Sequence, residues 1–112
     1  FSYVISLNTK DGNFTITDDV GNYVQLDSAE TNIDLTNKDG TFVRLNKKKI
    51  EAYAPDSINM EAVNLYDIKT KDLKIKADTA TIDIGKTTWK GHMTIDKIDG
   101  PDGVFGNNAG PH

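Results

Sequence analysis

Two histidines, His92 and His112, are the side chains best suited to hold a metal ion in a chain of 112 residues that contains no cysteine. A neutral imidazole is a good donor for a transition metal. Twenty positions separate the two residues, however, and neither belongs to a His-x-His pair. One imidazole per chain makes a site only where several chains meet. Three copies of His112 on a threefold axis would supply three nitrogens and leave the remaining positions to water, backbone oxygen or the terminal carboxylate. The other reading of His112 is a solvent-exposed terminal side chain. His92 falls on the polar parity of its strand, opposite Trp89 and Met93, and reads as a surface residue unless a kink at Gly91 shifts the strand and turns it inward.

Asp18, Asp19, Asp39 and Asp72 raise calcium binding or paired-carboxylate hydrolysis as possible chemistries. Their spacing matches no EF-hand loop, and a turn Asp commonly hydrogen-bonds its own backbone. The chain also lacks a Ser/His/Asp arrangement and a Gly-rich loop that would cradle phosphate. No enzymatic activity is expected. Lys47, Lys48 and Lys49 form a basic run without interleaved aromatics in a chain of net charge -4, and read as a solvated turn between two strand regions. Several chains of that charge together would be repelled by phosphate, so no nucleic-acid partner is expected. Tyr23, Phe42, Tyr53, Tyr66 and Trp89 could act as sugar platforms, but most of them fall at alternate strand positions where packing is expected.

The elements that must position these groups are small, repeated β units. Asp18 to Leu26 returns nineteen positions later as Asn37 to Leu45, each a turn followed by an alternating strand, and a looser copy runs from Lys10 to Ile16. Such units stack, because each buries its apolar stripe only against neighbouring units or neighbouring chains. From Lys49 the rhythm tightens into Ile50-x-Ala52-x-Ala54, Ile58-x-Met60-x-Ala62, Leu73-x-Ile75-x-Ala77 and Ala80-x-Ile82-x-Ile84. A period of two, together with Pro55, opposes helix. Small residues recurring on the inward face suit a narrow, crowded axis. Trp89, Gly91, Met93 and Ile95 continue the alternation. Beyond Asp99, Gly and Pro prevent any regular ladder. Val104 and Phe105 still need cover there, which predicts a compact cap over the end of the stack, the alternative being a frayed tail.

Only 37% of the residues are hydrophobic and the mean hydropathy is -0.51, so a monomer with two good inner faces would be underfilled. Sharing a core among chains is the simplest remedy. No apolar run approaches the roughly 20 residues that span a bilayer as a helix. The chain begins at Phe1 and reads as a piece of a longer or processed protein.

The Ile-x-Ala-x-Ala strands at eight-residue spacing, the Ala-Asp-Thr-Ala-Thr-Ile-Asp-Ile run at Ala77 to Ile84, and Thr-Thr-Trp-Lys-Gly-His-Met-Thr-Ile at Thr87 to Ile95 together carry a likeness. From about Ile33 onward the chain resembles the C-terminal, membrane-piercing part of the central tail spike of contractile-tailed bacteriophages. The resemblance implies an all-β, intertwined homotrimer: a triple-stranded β-helix, or β-prism, that tapers to an irregular pointed cap. It also implies a place at the tip of the virion's tail, attached to the baseplate or tail tube through a missing N-terminal part. On tail contraction the tip would be driven through the outer membrane of a Gram-negative host into the periplasm. Family spikes often close the apex with an axial iron ion held by His-x-His pairs. This chain departs from that pattern, which leaves His112, and less readily His92, as the iron ligands.

On this reading residues 1–45 form an N-terminal region of turn-strand repeats, 46–99 the β-helix and 100–112 the apex cap. Ile50, Ile58, Ile75, Ile82, Ile84, Met93 and Ile95 line the axis, and Val104 and Phe105 pack the apex. Two rivals remain. One is a trimeric tail-fibre segment that binds host surface polysaccharide. The other is a fragment of a glycan hydrolase, which would need two acids facing one cleft about 5 to 9.5 Å apart.

Overall fold

The computed structural model describes residues 1–98, and all its regular structure is β. Strands β1 (Tyr3–Asn8), β2 (Asn13–Asp18), β3 (Tyr23–Asp27), β4 (Asn32–Thr36), β5 (Phe42–Asn46) and β6 (Lys49–Tyr53) form one antiparallel sheet. The strand order is the chain order, so each strand pairs only with its neighbours in sequence. Among the described residues β1 and β6 are therefore free edges, and the sheet is an open meander. The all-β expectation holds.

The nineteen-residue repeat corresponds to a pair of strands. Its two close copies supply β3 and β5, which run in the same direction and carry their turns at the same end of the sheet. The looser copy does not join that series. Its strand, β2, runs the opposite way and its turn lies at the other end. Local pattern marks a turn and a strand, whereas direction is set by counting every strand between, β1 and β4 included.

Register sorts the side chains onto two chemically different faces. One apolar row runs Ile5, Ile16, Val24, Leu35, Val43 and Ala52, and a second runs Leu7, Phe14, Leu26, Ile33, Leu45 and Ile50. Each row crosses all six strands without a polar interruption. Between them, on the opposite face, runs Ser6, Thr15, Gln25, Asp34, Arg44 and Glu51. Ile50 and Ala52 thus complete the sheet as partners of Leu45 and Val43.

Two compact units divide the chain, Phe1–Lys69 and Thr70 onward. The sheet belongs to the first. From residue 54 to 98 there is neither helix nor hydrogen-bonded strand, and the backbone bends at 55–56, 63–64, 71, 78, 85, 91 and 96. The stretches between bends hold no turn, so they run extended. Among the described residues, the backbone-to-backbone hydrogen bonds outside the strand ladder all lie at or before Lys47.

Candidate functional site

The only buried residue among those described is a charged one, Asp34, at 4% exposure. It sits at the middle of β4 on the polar face, where Arg44 of β5 is its direct cross-strand partner. Arg44 Nε donates to Asp34 Oδ2 at 2.8 Å, and Thr36 Oγ1 donates to Asp34 Oδ1 at 2.5 Å. Both oxygens are engaged, as a buried carboxylate requires. The bond from Asp34 holds Arg44 still more firmly protonated than usual. The guanidinium also lies 4.5 Å from the centre of the Phe42 ring, and Phe42 stacks on Tyr53 at 5.6 Å. This cluster clamps β4, β5 and β6 together. It engages two of the aromatics that could have served as sugar platforms.

Sequence reasoning did not single out Asp34 or Arg44, since a lone acid at a polar strand position reads as solvated. The available signal was the repeat itself, which places Arg44 in β5 next to the strand that carries Asp34.

Asp18, one of the candidate acids, folds its own turn. Its Oδ1 accepts from the backbone N–H groups of Val20, Gly21 and Asn22 at 3.0, 2.9 and 2.9 Å, and Oδ2 accepts from the Asn22 side chain at 2.6 Å. Asn37 does the same nineteen residues later, where Oδ1 accepts from Asp39 and Thr41 at 3.0 and 3.1 Å. The turns are joined as well, because Lys38 N–H donates to Asn22 Oδ1 at 2.9 Å. Gly21 between them has φ 112, and a Cβ there would come within 3.0 Å of the Lys38 Cβ. At the other end of the sheet Lys47 and Lys48 form the β5–β6 turn, with Lys47 at φ 55.

Desolvation alone would raise the Asp18 carboxyl, but the hydrogen bonds from Asn22, Val20 and Gly21 outweigh it and hold the group below its ordinary value of 3.8. A depressed folded-state pKa gives stability that is present above the unfolded value and lost as pH falls through the folded one. Stability is therefore expected to decline as pH falls below the ordinary value of 3.8 and through the lowered folded one, and Asp18→Ala should flatten that part of the curve. Denaturant midpoints measured across this range check it, and an unchanged slope in the variant would assign the acid sensitivity elsewhere.

The structure gives His92 an exposed position directly after the bend at Gly91, whose φ is 108. Among the described residues no group of three His, Cys, Asp or Glu side chains could hold a metal ion. His112, Val104 and Phe105 lie outside the described residues. The expected axial residues are all exposed in the single chain, with Ile50 at 75%, Ile58 at 57%, Ile75 at 82%, Ile82 at 77% and Ile84 at 57%; Met93 and Ile95 are nearer half. Among the described residues no hydrophobic side chain is buried. Of the seven expected axial residues, all of them among the described residues, only Ile50 belongs to the sheet.

Compared with models of known protein families and with curated proteins, the chain matches none of them.

Proposed function

We propose that this chain is the tip of a homotrimeric, non-enzymatic spike that punctures the outer membrane of a Gram-negative host when a contractile phage tail fires. The observation that carries the reading is the chain beyond the sheet. From residue 54 to 96 it runs in short extended stretches between regularly spaced bends. An aliphatic or small side chain recurs at many alternate positions, and among the described residues this stretch forms no strand ladder. Extended backbone of that kind needs hydrogen-bond partners, and side chains such as Ile82 and Ile75 need cover. Two further copies wound about a common axis provide both.

A wound trimer resists compression, and an acidic surface does not adhere to anionic lipid as it passes. An upstream part would join the spike to the baseplate or tail tube.

An iron ion on the axis is part of this proposal and rests on the resemblance. Imidazole suits that metal, and three copies of His112 would hold it, with His92 as the alternative ligand. It would fasten the apex rather than carry out a reaction.

Native mass spectrometry with elemental analysis tests the reading. The expected result is three chains of 12.3 kDa, about 37 kDa in all, with iron that disappears in His112→Ala while the trimer remains. Metal retained in that variant but lost in His92→Ala would move the ligand to His92. A stable folded monomer at micromolar concentration would end the reading.

A further inference from the structure

Among the described residues, no element packs over the two apolar rows of the sheet. Leu35, at the middle of one row, is 49% exposed, and Leu45 in the other is 42% exposed. Charged Asp34, on the opposite face of the same strand, is buried. At β4 and β5 the sheet thus hides its polar side better than its apolar side, the reverse of what a finished sheet does.

We infer that this apolar face is a self-association surface, on which three copies of the sheet pack inward about the threefold axis with their strands running across that axis. The inference rests on the threefold association proposed above and extends it to the β1–β6 meander, whose strands already pair with one another within the chain and whose apolar face lacks cover.

Strand length supports this arrangement. β3 to β6 are five residues each, so each sheet is about 17 Å wide across its strands. A triangle of that side has its centre about 5 Å from each wall, half of the roughly 10 Å at which stacked sheets pack face to face. One layer of Leu, Ile and Val side chains from each wall therefore reaches the axis and fills it. Joining the same three sheets edge to edge as a barrel would instead give 18 strands, the size at which barrels keep an open channel, and the apolar rows would line water.

Charge placement at the corners is consistent with the prism. Its corners bring one end of each sheet against the other end of the next. One end carries Lys10, Lys47, Lys48 and Lys49 beside Asp11, Asp27 and Glu30, an excess of one positive charge, and the other carries Asp18, Asp19 and Asp39 beside Lys38, an excess of two negative charges.

Because the chain has no cysteine, introduced thiols report on cover directly. Leu35→Cys and Val43→Cys place a thiol on the apolar face in adjacent strands, and Ser6→Cys places one on the polar face. Each full-length variant is treated with a maleimide under native conditions, and its native mass is recorded alongside. In the trimer, Leu35→Cys and Val43→Cys are expected to react at least about 100-fold more slowly than Ser6→Cys, with the difference vanishing on unfolding. A trimer whose Leu35→Cys and Val43→Cys thiols react as fast as Ser6→Cys would overturn this surface while leaving threefold association to residues 54–98. Protected thiols in a dimer would overturn it in favour of a two-sheet sandwich, and in a monomer in favour of cover by the chain itself. An unprotected monomer would remove the threefold association and this surface together.

Discussion

Replacing Ile82 with Asp is expected to abolish the heat-stable trimer. Ile82 shares its parity with Ala80 and Ile84 and is 77% exposed in the single chain, so on the proposed assembly its cover comes from the other two copies. Threefold symmetry then brings three carboxylates into one narrow interior. Each buried, unpaired charge costs about 3 to 5 kcal/mol, and mutual repulsion adds to that. The neighbouring Asp83 has the opposite parity, so Asp83→Ser should change stability by no more than about 0.5 kcal/mol. Thermal melts and unheated denaturing gels of the two variants make the comparison. An Ile82→Asp trimer that melts with the parent would place Ile82 on the outer surface and reverse the parity proposed for the whole segment.

Very slow unfolding is the second large effect. If the extended stretches of residues 54–96 pair as strands only with other chains, no chain can leave before its strands unwind from both others. The barrier then reflects the whole wound length rather than one local contact. The trimer should withstand dodecyl sulfate at room temperature, with a half-life of at least about days in water at 25 °C. Mixing isotope-labelled and unlabelled trimers and following subunit exchange by native mass spectrometry measures this without denaturant. Exchange within minutes would favour three separately folded domains lying side by side.

The sheet was largely legible where turn chemistry and alternation coincide. The two close copies of the repeat lead into β3 and β5, and Gly21 and Gly40 take the positive φ expected of tight turns, 112 and 89. The Lys47-Lys48 turn was legible from charge alone, although its left-handed Lys47 was not, because nothing in a lysine run announces that conformation. The direction of β2 was hidden, since alternation within a strand says nothing about how many strands precede it. Asp34 was hidden for a related reason. Its burial is created by Arg44 and Thr36 closing over it, and that depends on which residue of β5 stands opposite. The apolar rows were visible only as single alternating residues until register aligned them into a face.

The strand order has one more consequence, for how the particle is made. Because every strand pairs with the next in sequence, the meander can zip up hairpin by hairpin within one chain, and hairpins form in about 1 to 10 μs. Residues 54–98 form no such pairs among themselves. If the chain trimerises as proposed, assembly should proceed in two kinetic stages, a first-order stage independent of protein concentration and a later one that accelerates with it. In a polypeptide emerging from the ribosome N-terminus first, the early stage would be complete before the wound segment is released, and preformed sheets would set a common stagger for the chains that wind behind them.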